Sequence, residues 1–192
     1  YLWDSKNVIA MSSNRNMALD TFRQVANTIM DHEFLSEQVK KIRYANGQEV
    51  IELKNGARYE IVAATRDGSR GKTADFLYID ELREISDEAW KAARPVTRAR
   101  PNAQTLTTSN AGDAFSTVLN DLRERALSYP SQTFGWYEYS APSYCKINDR
   151  DAWAMANPAL GYTITEEVLE ESVATNTVEA TRTELLCQWV DA

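Results

Sequence analysis

Phe76-Leu77-Tyr78-Ile79-Asp80-Glu81 is the stretch on which the fold turns. Four apolar residues, two aromatic and one β-branched, run directly into two adjacent carboxylates. A short unbroken apolar run of this kind predicts a strand buried on both faces, as in a parallel sheet. Charges do not stay in such a core, so Asp80 and Glu81 are expected where the strand leaves it. In open α/β sheets the carboxyl ends of the strands are where ligands bind. The plainer alternative is an acidic pair that only leads into a helix, for which Ser86-Asp87-Glu88 carries the start signal.

Upstream of this strand lies the polar loop Thr65-Arg66-Asp67-Gly68-Ser69-Arg70-Gly71-Lys72-Thr73. Its Gly-Lys-Thr ending imitates the phosphate-binding loop G-x-x-x-x-G-K-[ST], but the first glycine of that pattern would fall on Arg66. Such a loop must also open a helix, and here a strand follows within a few residues. The phosphate loop is therefore not expected at Lys72. Further upstream, Asn7–Met11 predicts a first buried strand. Ser13 or Asn14 then caps a helix that carries Met17, Ala18, Phe22, Val25, Ala26 and Ile29 on one face. Asn46-Gly47 and Asn55-Gly56 are tight-turn dipeptides and predict a small antiparallel meander over residues 41–63.

Downstream, Ser86–Arg94 suits a short helix stopped by Pro95, with the basic cluster Arg94, Arg98 and Arg100, of which Arg98 and Arg100 fit a surface or ion-pair role rather than DNA contact. Gln104–Thr108 predicts another buried strand, running into Thr108-Ser109-Asn110-Ala111-Gly112. Residues 114–129 predict an amphipathic helix with Phe115, Val118, Leu119, Leu122 and Ala126 on its apolar face. Beyond Pro130 the texture changes. Thr133–Ser140 predicts an aromatic-rich strand, and the Trp and Tyr residues after 133 are expected in the core rather than as a base-stacking platform. Helices are expected over 149–157, from Thr165 to Val173, and from Glu179 to Val190. The fold class expected is α/β, a mainly parallel sheet flanked by helices, with a small β-meander insertion and a C-terminal helical subdomain. The domain division expected is 1–130 for the core and 131–192 for the aromatic and helical annex.

Composition sets outer limits. The 192 residues are 43% hydrophobic and 26% charged, ordinary for a globular chain with one sizeable core. No apolar stretch approaches the length of a membrane span, and the chain begins at Tyr1 rather than Met, so a longer protein is expected. Two cysteines do not make a disulfide framework, and the single histidine, His32, makes a zinc site unexpected. Residues 1–120 carry 16 acidic and 16 basic side chains; residues 121–192 carry 12 acidic and 5 basic, so the whole net charge of −7 falls there. That acidic part is a poor surface for phosphate backbones.

A Gly/Arg loop feeding a buried strand, a strand ending Asp-Glu and a strand ending Thr-Thr-Ser have a joint logic if the ligand is a nucleoside triphosphate with magnesium. Asp80 would hold Mg²⁺ through its water shell, because this hard cation keeps waters and takes few carboxylates. Glu81 would polarise the attacking water as general base. The hydroxyls of Thr107, Thr108 and Ser109 would respond to the γ-phosphate, and an arginine such as Arg70 would neutralise phosphoryl charge, for a neighbouring subunit. Arg66 competes with Arg70 for that role. Thr-Thr-Ser is also ordinary turn chemistry, and both arginines also fit as solvated loop charges.

These motifs resemble the ATPase region of tailed-bacteriophage terminase large subunits. Phe76–Glu81 is similar to that family's Walker B strand with its catalytic glutamate, and Leu106-Thr107-Thr108-Ser109 resembles its coupling motif. Ser69-Arg70-Gly71 is like the loop carrying a trans-acting arginine. Ile9-Ala10-Met11-Ser12-Ser13, with Ala18 and Phe22, resembles the strand and helix after the P-loop helix. Ala156-Asn157-Pro158-Ala159-Leu160-Gly161, with Leu186 and Trp189, looks like the helical linker towards the nuclease domain. The resemblance implies an ATP- and Mg²⁺-dependent P-loop hydrolase of viral genome packaging. It also implies double-stranded DNA, a portal and procapsid, a small terminase subunit and a homo-oligomeric ring as partners. Its implied place is the host cytoplasm, docked transiently on the procapsid, without membrane contact. The family's P-loop lies before residue 1 and its nuclease carboxylates beyond residue 192, so this stretch alone is expected to be inactive. A helicase-like translocase and a non-catalytic assembly module of the same fold are the alternatives.

Overall fold

The computed structural model describes residues 4–65 and 68–189. The described residues form two compact units that divide between Thr108 and Ser109.

The first unit is built on a six-stranded sheet in the order β2-β3-β4-β1-β5-β6. The strands are β1 (Asn7–Ser12), β2 (Val39–Arg43), β3 (Val50–Leu53), β4 (Arg58–Ala63), β5 (Phe76–Asp80) and β6 (Gln104–Thr107). β1 pairs in parallel with both β4 and β5, and β5 in parallel with β6. The meander β2-β3-β4 is antiparallel and continuous with this sheet, since β4 is both its last strand and the neighbour of β1. Its turns rest on Gly47 and Gly56, whose φ of 80° and 87° suits glycine at these Asn-Gly corners.

Helix α1 (Arg15–Met30) starts where Asn14 accepts the Asn16 amide, the expected polar cap. Ala18, Phe22, Ala26 and Ile29 recur at helical spacing and are buried against Ala10, Ile51, Leu53, Ala57 and Ile61 of the sheet. Met17 is 46% exposed and is not on that face, contrary to the sequence expectation. Phe22 is the centre of this layer: it stacks on Tyr59 at 6.0 Å and meets Tyr44 edge-on at 5.9 Å. Burial, with the nearby Tyr78 adding, pushes the Tyr59 phenol up to about 12. At the head of α1, Arg15 reaches Glu49, whose side chain is 2% exposed, at 2.7 Å, and also bonds Asn46. That pair was not legible in the sequence.

Two expectations for the sheet are corrected. β5 is fully buried on one face only, at Leu77 and Ile79, while Phe76, Tyr78 and Asp80 on the other are half-buried. β6 is not a buried strand. It lies at the edge of the described sheet with Gln104, Thr105 and Leu106 exposed, because no described element covers it. After β5 come a 3₁₀ turn (Leu82–Glu84) and helix α3 (Asp87–Ala93), capped by Ser86 accepting the Ala89 amide. A short helix α2 (Glu33–Ser36) precedes β2.

The second unit contains α4 (Thr117–Ser128), α5 (Arg150–Ala156), α6 (Glu166–Thr175) and α7 (Val178–Ala180). Its core gathers Ala152, Trp153, Ala156, Leu169, Leu185 and Leu186. Three expectations fail here. Phe115 precedes α4 and is 88% exposed, because an Asp113 cap turns the chain before the helix begins. The last helix does not run to Val190; α7 continues into a π-turn over Thr181–Leu185, and Cys187 then takes a φ of 48°. Val190 itself lies outside the described residues. Thr133–Ser140 forms no strand ladder, and Tyr137, Tyr139, Tyr144 and Tyr162 are exposed rather than core, whereas Trp153 is buried as expected.

What organises that irregular stretch is Glu138, whose side chain is 25% exposed. It receives Arg123 Nε at 2.9 Å and Nη2 at 3.0 Å, Trp136 Nε1 at 3.0 Å and Trp189 Nε1 at 3.1 Å. The Arg123 guanidinium also lies over the Trp189 ring. Burial raises the Glu138 carboxyl, but the Arg123 and tryptophan donors outweigh it and hold it below the usual carboxylate range. A carboxylate depressed in the folded state stabilises above its unfolded value, and that stabilisation is lost as pH falls through the folded value. Glu138→Gln is therefore expected to cost about 1–2 kcal/mol in urea unfolding near neutral pH. Its gap to wild type should close in acid, below about pH 4; a gap independent of pH would exclude the charge as the cause.

Candidate active site

The parallel strands β1 and β5 end together at Ser12 and Asp80, which are register partners, and Ile79 faces Thr107 across β5 and β6. Polar side chains thus collect at the carboxyl edge of the sheet, where ligands bind in open α/β folds.

At that edge Asp80 is held from two sides. Its Oδ1 accepts the Thr108 hydroxyl at 2.6 Å and the Glu81 amide at 3.0 Å. Both donors are on Oδ1, so Oδ2 is the oxygen that would face a water of a hydrated cation. One carboxylate oxygen with a neighbouring hydroxyl suits Mg²⁺, which retains most of its water shell. The Thr108 backbone is pinned as well: its N–H donates to the Ile79 carbonyl and its C=O accepts the Leu82 amide, both at 3.0 Å.

Glu81 has φ 52° and ψ 54°, the left-handed region that a non-glycine residue seldom occupies. The chain therefore reverses sharply after β5, and the Glu84 amide bonds back to the Glu81 carbonyl at 2.9 Å. The same turn brings Arg83 Nε to 3.4 Å from a carboxylate oxygen of each of Glu81 and Glu84. Glu81 thus has a cation next to it, and its side chain makes no capping bond to the 3₁₀ turn that it precedes.

The other expected residues are distributed differently. Thr107 sits in register with the buried Ile79, so strand alternation sends its side chain to the sheet face opposite Asp80. It does not join Thr108 on the face that Asp80 occupies. Ser109 opens the second unit. Arg70 is exposed and lines a cleft of about 570 Å³ with Ser69, Lys91 and Val96; neither Asp80, Glu81 nor Thr108 lines it. Lys72 bonds Glu60 at 2.9 Å and its loop leads into β5, so Gly71-Lys72-Thr73 opens no helix. Arg66 lies outside the described residues.

Two residues at this site carried no expectation. Tyr78 places its hydroxyl 2.9 Å from the Thr108 hydroxyl, and Arg83 approaches Glu81 as described. Tyr78 was discoverable, because residues two apart on a strand share a face. Burial raises its phenol, the Thr108 bond opposes this, and the Asp80 carboxylate adds to the rise through its charge and a hydrogen-bond interaction of its own. Arg83 had no such signal, since its approach depends on the left-handed turn at Glu81.

Comparison with known proteins decides the family. The family model for terminase large subunit, T4likevirus-type, N-terminal, matches residues 2–192. The chain belongs to this family. Among solved structures, the large terminase of bacteriophage HK97 is similar, at 19% identity and a TM-score of 0.85, over 96% of this chain and 40% of that one. The large terminase of a thermophilic bacteriophage aligns at 12% identity and a TM-score of 0.65, over 98% and 42%. The same thermophilic terminase in complex with ADP aligns at 13% and 0.61. At these identities the likeness establishes the shared fold. The chain spans about two fifths of the length of these terminases. No curated protein matches it.

Proposed function

We propose that this chain is the ATPase part of a DNA-packaging motor, coupling ATP hydrolysis to movement of double-stranded DNA into a procapsid. The observation that carries the reading is the Asp80-Glu81 pair at the carboxyl end of a parallel strand, with Thr108 bonded to the first carboxylate. Asp80 would hold Mg²⁺ through water, and the ion would supply charge neutralisation at the phosphates. Glu81, turned back beside Asp80, orients and deprotonates the attacking water. Thr108 ends the first unit, so a change in its bond to Asp80 acts on the residue from which the chain enters the second unit. Arg70, exposed on its own cleft away from Asp80, is suited to act on a nucleotide held by an adjacent copy in a ring. The ADP complex of the thermophilic phage relative supports a nucleotide ligand.

The chain spans two fifths of its solved relatives; a phosphate-gripping loop in the remaining length would complete the site, and the edge of β6 in the described sheet would offer the place for a further strand. The partners proposed are double-stranded DNA, portal and procapsid, the small terminase subunit and further copies of the chain. The place of action is the host cytoplasm, at the procapsid.

The test is Mg²⁺-dependent ATP hydrolysis by the full-length protein, with and without double-stranded DNA and procapsids. Hydrolysis raised by procapsids with DNA is the expected result. Stimulation by single strands alone would favour a helicase-like translocase. No hydrolysis under any condition would leave a non-catalytic assembly module.

A further inference from the structure

We infer that Tyr78 is a positioning residue that fixes the Asp80 carboxylate through Thr108. This inference rests on the reading of Asp80 as the magnesium-bearing carboxylate. A threonine hydroxyl has one proton and two lone pairs. Thr108 spends its proton on Asp80 Oδ1 at 2.6 Å, so the contact of 2.9 Å between Tyr78 and Thr108 has the tyrosine as donor. The chain of bonds therefore runs one way, from Tyr78 O–H to Thr108 Oγ1–H to Asp80 Oδ1. With the Thr108 lone pair taken by Tyr78, its proton is directed at the carboxylate rather than at solvent.

The arrangement is rigid at each end. Tyr78 and Asp80 share one face of β5, and Leu77 and Ile79 anchor that strand on the other. Thr108 is held by its backbone between Ile79 and Leu82. The Glu81 amide adds a second donor to the same Oδ1. Two donors on Oδ1 fix that oxygen, and with it the carboxylate that carries Oδ2. Tyr78 touches no reacting atom; it decides which way the Thr108 proton points, and so how well Oδ2 is aimed.

The test uses the full-length protein with Mn²⁺ as the probe ion. Tyr78→Phe removes one oxygen and keeps the ring. Mn²⁺ binding in the presence of ADP, followed by electron paramagnetic resonance, is expected to weaken about fivefold, as for one net hydrogen bond. The divalent half-saturation of hydrolysis should rise in step. Thr108→Val should weaken binding at least as much, and adding Tyr78→Phe to it should change nothing more, since Tyr78 acts through Thr108. Equal losses from Tyr78→Phe in both backgrounds would overturn the inference. The same cycle measured by urea unfolding without metal separates the two readings. Coupled unfolding effects with no Mn²⁺ binding by wild type would keep the relay and reject the magnesium role. Additive unfolding effects would reject the relay itself.

Discussion

In the full-length protein, Glu81→Gln is expected to leave nucleotide binding intact while lowering ATP turnover by about 10²–10⁴-fold. The substitution keeps size and the capacity to accept a hydrogen bond, and it removes the ability to take a proton from water. The backbone of the site should hold, because the left-handed turn at residue 81 is fixed by main-chain bonds and by Leu82, which is 1% exposed, rather than by the glutamate side chain. Arg83 would lose its carboxylate partner at 81 and keep Glu84 at 3.4 Å, so the local charge stays compensated. Steady-state hydrolysis alongside binding of a fluorescent ADP separates the effects. Unchanged turnover would remove Glu81 as the base and return the acidic pair to a capping role. Lost binding would mean that the side chain shapes the pocket instead of performing the proton transfer.

The largest stability effect is expected at Phe22. Its ring is 0% exposed, stacked on Tyr59 and met edge-on by Tyr44. Phe22→Ala removes the transfer energy of the ring and leaves a cavity between α1 and the sheet, together about 3–5 kcal/mol. The neighbours cannot close the gap cheaply, because Ala18 and Ala26 on the same helix face are small and Ile51 and Ile61 are fixed on paired strands. Against a typical margin of about 5–15 kcal/mol, that loss takes a large share of the total. Urea unfolding should show the midpoint falling with little change in slope. Phe22→Leu, which fills most of the volume, should cost clearly less. Equal costs for the two variants would mean that the ring contacts with Tyr59 and Tyr44, rather than the filled volume, carry the stabilisation.

Much of the first unit was legible because its signals are local. Asn14 caps α1, the two Asn-Gly pairs turn the meander, and the apolar run before Asp80 is a strand. Where expectation failed, the deciding fact was a neighbour. β6 has the composition of a buried strand, yet at the edge of the described sheet its Leu106 is 50% exposed. The aromatic residues of 133–140 are as suited to a strand as any, but Glu138 draws Trp136, Trp189 and Arg123 onto one carboxylate, and the backbone follows that polar centre instead of a ladder. The Thr107–Ser109 run was readable as a motif and not as a geometry, since strand alternation admits only one of two adjacent threonines to a given face.

The sequence by itself determined that an apolar strand ends in Asp80 and Glu81, that a second strand ends in threonines, and that charge collects in the last third of the chain. Those properties follow from composition and from periods of two and 3.6 residues, which are local. Only the tertiary structure decided that Thr108, not Thr107, bonds Asp80, that Tyr78 stands behind Thr108, that Arg83 lies beside Glu81 and that Arg70 lines a cleft that Asp80 and Glu81 do not. The reason is that hydrogen bonds at a site depend on strand register and on a single left-handed backbone angle. Both are settled by the packing of residues distant in sequence.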